Sequence, residues 1–322
     1  MKQTLLAALL AGLLCLGLTA CGDAQEETGA AHTYSVGICQ LVEHEALDDA
    51  TAGFQAALND ILGEGVVTFD VQNAQGDSNT CSVIVNSFVS NGVDLILANA
   101  TPALQAAVAG TSEIPILCTS VTEYGVALDI EGFDGTVGGN ISGTSDLSPL
   151  DQQAAILQEW FPEAKNVGLL YCSAEANSQY QVDVVQAELE SLGYTCTPYP
   201  FADSNDLATV CTAAAEASDV LYVPTDNTVA ANTGIIDNIC RPAKVPVIGG
   251  DSGICAGCGV ATMPVNYYDL GYLTGEMAAQ ILTGQADISE MPIAHLESAK
   301  VYNPEICQDL GLTVPAGYEP VS

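Results

Sequence analysis

The chain has 322 residues, more than one hydrophobic core usually organises, so two domains are expected. Its 40 Asp and Glu face only 5 Lys and Arg, and the formal net charge of -35 comes from a shortage of bases rather than a surplus of acids. With 48% hydrophobic residues the bulk of the chain folds, and with so few cations it cannot neutralise phosphates, which excludes nucleic-acid binding, anionic-lipid recognition and nucleotide handling by a Lys/Arg clamp.

The chain begins with a short positive segment, Met1-Lys2-Gln3, followed at 4–18 by an apolar run of secretory-signal length. The run ends in Leu18-Thr19-Ala20-Cys21-Gly22, which resembles a bacterial lipobox, where cleavage falls before the cysteine and its thiol carries lipid. Residues 1–20 are therefore expected to be a signal peptide, Cys21 the lipidated anchor, and 21–33 the anchor and its polar tether. An ordinary signal peptide with a chance cysteine, or an uncleaved N-terminal anchor, are the competing readings. No later stretch reaches the roughly 18 apolar residues of a spanning helix.

A short apolar run at 34–39 precedes Leu47, Ala50, Phe54, Ala57, Leu58 and Ile61, spaced near 3.6 residues: a strand feeding a helix. The pair recurs at 66–71 and 79–90 and again at 94–98 and 102–109, and a strand at 114–118 closes this half. After 140–146 the rhythm restarts, with helices at 151–160, 178–192, 205–217 and 228–240 alternating with strands at 167–171, 195–199, 220–223 and 245–248. Such alternation predicts an α/β chain of two similar halves, each a parallel sheet covered on both faces. Ligands of such sheets bind at the carboxyl ends of the strands.

Removing Cys15 and Cys21 from the twelve cysteines leaves ten, in an exported chain where disulfides are permitted. Most read as small buried hydrophobes. Cys255 and Cys258, the one close pair, are read first as a loop disulfide, with a thiol pair or a metal half-site as alternatives; no second CxxC or His cluster supports a metal.

The loops after the strands are rich in hydroxyls and amides. Part of this has a plain cause, since Ser, Thr, Asp and Asn are favoured helix N-caps, and Thr101-Pro102 has the pattern of an N-cap followed by proline. Taken together, helix N-termini from two lobes facing one crevice would hold a carboxylate through free N–H groups. Lys165, Arg241, Lys244 and Lys300 fall at the opposite strand ends, so a phosphate would lack a counter-charge. Asp146, Asp226 and Asp251 sit at strand ends or the crossover, where one can pair with an ammonium. A zwitterion such as an amino acid satisfies both demands.

Six strings carry a resemblance: VGICQLVEHEALDDATAGFQAAL from Val36, VQNAQGD from Val71, VDLILANATPALQAA from Val93, SGTSDLSPLDQQ from Ser142, NVGLLYCSAEANS from Asn166 and VLYVPTDNTV from Val220. They resemble the ABC-transporter substrate-binding lipoproteins of the tryptophan/tyrosine-binding type, from about Tyr34 to the C-terminus. The resemblance implies a type I periplasmic-binding-protein fold of two Rossmann-like lobes, 34–142 plus about 264–292 and 143–263 plus about 298–322. Three crossovers, near 140–146, 251–264 and 291–300, form the hinge. It also implies a monomer on the outer side of the bacterial cell membrane, held there by its lipid, with no cofactor or metal. Its partners would be a small ligand, an aromatic amino acid first, and an ABC permease with its ATPase. Two departures are that Cys39 and Cys118 replace larger apolar residues, and that the 255–258 loop is unlike the family's.

Carried onto this chain, the resemblance points to Asn73, Thr101, Ser120, Thr122, Ser145, Asn177, Ser178, Thr225, Asp226, Asn227 and Asp251 as cleft residues. Asp226 or Asp251 is expected to take the ammonium, and Thr101, Ser120 and Thr122 the carboxylate, although each hydroxyl serves equally well as a cap. Glu43 and His44 either line the opening or lie solvated on the surface. Tyr124, Tyr267 and Tyr268 either stack on an aromatic ligand or pack in a core. An enzyme is not expected: GxSxG, HExxH, P-loop and GxGxxG motifs are lacking, and His32, His44 and His295 form no cluster. A membrane-anchored sensor, or a binder of a sugar or nucleoside, uses the same fold.

Overall fold

The computed structural model describes residues 33–321; the expected signal peptide and the lipidated Cys21 lie outside the described residues. The first half runs β1 (Tyr34–Gln40), α1 (Glu45–Leu62), β2 (Val67–Asn73), α2 (Ser78–Asn91), β3 (Leu95–Asn99), α3 (Thr101–Gly110), β4 (Ile116–Val121), α4 (Tyr124–Ala127) and β5 (Ile141–Ser145). The second runs α5 (Leu150–Trp160), β6 (Asn166–Cys172), α6 (Ala176–Ser191), β7 (Thr195–Phe201), α7 (Ser204–Ala217), β8 (Val220–Val223), α8 (Asn227–Ala230), α9 (Thr233–Ala243), β9 (Val247–Gly249), α10 (Ser252–Gly257) and β10 (Ala261–Thr262). The chain then returns through α11 (Tyr267–Leu282) and β11 (Ala294–His295), and finishes with β12 (Val301–Tyr302), α12 (Pro304–Leu310) and β13 (Glu319–Pro320).

Two open sheets result, of order β11-β5-β4-β3-β1-β2 and β13-β12-β10-β9-β8-β6-β7. Their pairings are parallel except that of β10 with β12. This is the α/β architecture that the alternating pattern predicts. Each sheet has a buried cluster on both faces, which is why β3 and β4 are mostly apolar or small, and both are buried at every position. On α1, Leu47, Phe54 and Leu58 are almost wholly buried, each contributing about 1.5–3 kcal/mol of transfer free energy.

The chain passes between the sheets at 146–149, 263–266 and 296–300. β5 stays in the first sheet through Ser145 and β11 through His295, so the passages lie a few residues beyond the lobe boundaries drawn at 142 and 292. Although α11 follows the second passage, it packs on α1 of the first lobe. Gly53 and Gly271 make that contact possible, since a Cβ on either would overlap the facing helix's main chain, Tyr268 or Ala50.

Two sequence expectations are corrected. The single helix at 228–240 is two, α8 and α9, because Ala231 and Asn232 leave the helix and the Asn232 side chain donates to the Thr228 carbonyl at 2.8 Å. The 255–258 segment is not a disulfide loop: Ser252–Gly257 is helical, and Cys255 and Cys258 are free buried thiols, as are most of the ten cysteines among the described residues. The Cys258 thiol points back to the Ile254 carbonyl at 3.4 Å within an apolar cluster that includes Ile254, Cys211 and Cys240. Three of the four Lys and Arg among the described residues are engaged outside the chamber lining: Arg241 pairs with Asp237, Glu305 and Asp309, Lys300 with Glu159, and Lys244 donates to the Asp309 carbonyl.

Candidate ligand-binding cleft

The carboxyl ends of the two sheets face each other across a narrow chamber of about 10 Å³, room for about one water-sized group. From the first lobe and the passages come His44, Leu47, Ser120, Thr122, Asp146 and Tyr267; from the second come Asn177, Thr225, Asp226, Asn227, Ala230 and Asp251. Beside it, and sharing Asn227, an outer pocket of about 330 Å³ opens between Leu41, Val42 and Pro102 on one side and Glu175, Ala202 and Thr228 on the other.

Local backbone geometry aims several of these groups. β4 shifts register against β5 between Cys118 and Val121, and Ser120 within that shift has φ 55°, a left-handed conformation unusual for a residue with a side chain. Its hydroxyl is buried in the chamber wall without a hydrogen-bond partner. Ala100, bonded through its N–H to the Thr119 carbonyl, is also at positive φ, 99°. Thr101 follows as the first residue of α3; the cap is therefore Ala100, and the Thr101 hydroxyl is buried and unpartnered.

In the second lobe a buried carboxylate absent from the sequence expectations organises the wall. Glu175, the N-cap residue of α6, accepts from Asn227 N (3.1 Å), Asn227 Nδ2 (2.7 Å), Thr228 N (2.9 Å) and Thr228 Oγ1 (2.7 Å). It satisfies first-turn donors of α8 that would otherwise be orphaned. With its amide nitrogen held by Glu175, Asn227 presents Oδ1 to His44 Nε2 at 3.3 Å, a link from the first lobe to the second. Burial lowers the His44 pKa, opposed by that bond and by Glu175 and Asp48.

Three carboxylates line the chamber. Asp226 accepts from Cys172 N at 2.7 Å and Val229 N at 2.9 Å, and desolvation, with the charge of Glu175, pushes its pKa up to about 8. Asp251 caps α10 by accepting from Ile254 N at 2.8 Å, and burial pushes it up to about 7. Asp146, in the first passage, takes the Tyr267 hydroxyl on Oδ2 at 2.9 Å, while its Oδ1 is buried without a partner. Burial raises its pKa against the opposing Tyr267 and Thr122 hydroxyls.

Of the expected site residues, the chamber brings together Ser120, Thr122, Asn177, Thr225, Asp226, Asn227 and Asp251. Ser145 stands behind the wall, donating to the Thr122 carbonyl at 2.8 Å and accepting from Leu147 N at 3.1 Å. Ser178 lies behind Thr225, its hydroxyl 3.5 Å from that carbonyl. Asn73 holds its own turn by accepting from Gln75 N at 2.7 Å. Tyr124 is a core residue of the first lobe, donating to the Thr144 carbonyl at 2.9 Å and stacked on Phe133, whereas Tyr268 is exposed on α11. Tyr267 alone of the three tyrosines reaches the chamber.

Two α/β lobes joined by three passages, with a polar chamber between their strand ends, define a two-lobed solute-binding protein. The chain belongs to the ABC transporter substrate binding protein family, which its residues 35–317 match. The role of that family is binding rather than catalysis, and its members are extracytoplasmic. The chain is 32% identical over 314 residues to a tyrosine-binding protein of Clostridioides difficile (strain R20291), covering 93% of this chain and 90% of the relative. It superposes with a TM-score of 0.84 on the crystal structure of an ABC domain in complex with L-Trp from Streptococcus pneumonia, 30% identical, covering 88% of this chain and 96% of that one. A ligand-free, open substrate binding protein with adhesive properties from Clostridium difficile is more alike in sequence, at 36%, but less in shape, with a TM-score of 0.67; it covers 90% of this chain and all of that one, 100%. The lobe arrangement is thus nearer to the L-Trp complex than to the open form.

Proposed function

We propose that this chain is the lipid-anchored receptor of an ABC importer, capturing an aromatic amino acid (Trp, Tyr or Phe) between its lobes as a monomer and delivering it to a permease with its ATPase. The observation that carries the ligand class is the chemistry of the chamber: three buried carboxylates and an unpartnered hydroxyl, with no Lys or Arg in its lining. An ammonium is the complement of the carboxylates, and hydroxyls with main-chain N–H groups suffice for a ligand carboxylate. The aromatic side chain is supported by the tyrosine-binding relative and by the L-Trp complex. The outer pocket, apolar at Leu41, Val42 and Pro102, offers space next to the chamber for a ring. Hinging at the three passages would open and close the cleft.

The test is a thermal-shift screen of residues 22–322 against amino acids, sugars and nucleosides. Ligand at a hundred times its dissociation constant stabilises by about 2.7 kcal/mol, a readily resolved shift. A response confined to Trp, Tyr or Phe is expected; a response only to sugars or nucleosides would overturn the ligand class. For the anchor, cells expressing the full chain are expected to incorporate labelled fatty acid, and the Cys21→Ser variant to lose the label.

A further inference from the structure

We propose that Asp146, and not Asp226 or Asp251, takes the ligand's ammonium, with Asn177 Oδ1 from the opposite lobe as its second acceptor. This rests on the amino-acid reading above and deepens it. The assignment comes from which acceptor atoms the fold has left unused. Both oxygens of Asp226 are committed to main-chain N–H groups, Cys172 at the end of β6 and Val229 in the first turn of α8. Asp251 is committed through one oxygen, Oδ1, which holds the start of α10 at Ile254 N. Each is a helix cap whose removal from that duty would leave orphaned donors.

Asp146 differs. It is 4% exposed, it lines the chamber, and its Oδ1 has no partner. Tyr267 donates to Oδ2 and so fixes the carboxylate's orientation. Asn177, also 4% exposed and lining the chamber, is the matching case: its Nδ2 is spent on the Thr225 carbonyl at 3.1 Å, and its Oδ1 is buried and unpartnered. A buried acceptor without a donor is costly, and two in one small chamber call for a ligand that donates several hydrogen bonds from one atom. An ammonium does this, and it neutralises the carboxylate whose Oδ1 is buried without a donor.

The position of the seat also couples occupancy to closure. Asp146 lies in the first passage and Tyr267 follows the second, and the two passages are tied again by Ser148 Oγ donating to the Met263 carbonyl at 2.6 Å. Asn177 rides on α6 of the second lobe. An ammonium held by both residues therefore joins the hinge to the far wall.

The experiment is calorimetric titration of residues 22–322 with L-Trp and with indole-3-propionate, which is L-Trp without its amine, for the wild type and for Asp146→Asn, Asp251→Asn and Tyr267→Phe. Asp146→Asn is expected to reduce the preference for L-Trp over indole-3-propionate by about a hundredfold, and Asp251→Asn by less than about tenfold. Tyr267→Phe, which leaves the charge in place but frees its orientation, is expected to reduce the preference by about tenfold, and it stands in for Asp146→Asn should that variant not fold. An unchanged preference in Asp146→Asn, or the large selective loss appearing in Asp251→Asn instead, would overturn the seat while leaving the ligand class intact. A wild type that binds neither L-Trp nor any other aromatic amino acid would overturn the ligand class and the seat together.

Discussion

Glu175 shows how one side chain sets the chemistry of its neighbours. A carboxylate only accepts, so Asn227 must turn its NH₂ toward Glu175 and its carbonyl oxygen toward His44, and His44 must then carry a proton on Nε2. The amide orientation and the histidine tautomer both follow from a residue that neither the N-cap pattern nor the loop composition singled out. Its signal in the sequence was slight: an acidic residue just before a helix, in a chain where acids are common. We predict that Glu175→Ala lowers unfolding stability in urea by about 2 kcal/mol or more, because buried donors of Asn227 and Thr228 lose their acceptor. A loss below about 0.5 kcal/mol would mean that water replaces the carboxylate without cost. His44 illustrates the reverse difficulty. A lone loop histidine is ordinarily solvated, and only the approach of Asn227, 183 positions away, makes it a bridge.

At the scale of elements, strands and helices were largely legible because period and capping are local properties. β1, β3 and β6 are each built around a short apolar run, and α1 carries a regular apolar stripe. Two kinds of local error remain instructive. Thr119, Ser120 and Thr122 look like loop residues and place the strand's end at Cys118, whereas β4 continues to Val121 through a register shift that leaves Ser120 in the chamber wall. The apolar spacing over 228–240 reads as one helix and hides the break between α8 and α9. The α1–α11 contact was not legible, since it joins helices more than 200 residues apart, yet it explains two glycines inside helices, where glycine is otherwise unfavourable. We predict that Gly271→Ala lowers the melting stability by about 1–3 kcal/mol despite its better helix propensity, because its Cβ meets the Ala50 main chain. An increase in stability would show that the helices separate freely.

For the whole molecule, charge and burial act together on the response to pH. Asp226 and Asp251 titrate at about 8 and about 7 when folded, against an ordinary value of 3.8, so the folded state binds the extra protons. Their contribution to stability is complete below pH 3.8 and is lost as pH rises through 7 to 8. His44 acts in the opposite sense, since its lowered pKa lets the unfolded chain take up a proton first as pH falls below 6.5. Self-repulsion from a net charge of -35 adds to the carboxylate effect. We therefore predict that the ligand-free protein melts at a higher temperature at pH 5.5 than at pH 8.5. In 1 M salt, which shortens the screening length to about 3 Å, a residual difference should persist for the wild type and shrink in an Asp226→Asn, Asp251→Asn double variant. Equal pH slopes for both proteins in high salt would assign the effect to surface charge alone.

The sequence by itself determined the alternation of strands and helices, the two mostly parallel sheets and the side of each sheet on which the chamber lies, because these depend on residues within a few turns of one another. It also determined the poverty in cations, and with it the exclusion of phosphate-bearing partners. Most of the cleft residues were legible too, because strand ends announce themselves by hydroxyls and amides. Only the tertiary structure decided which of these face the chamber and which stand behind it, as Ser145 and Ser178 do. It decided that Cys255 and Cys258 are separate buried thiols, that both oxygens of Asp226 are bonded, and that Asp146 Oδ1 is buried without a partner. The reason is the same in each case: whether a polar atom is free depends on which distant main-chain and side-chain groups the fold brings within about 3 Å of it, and that is a property of the assembled lobes rather than of any local segment.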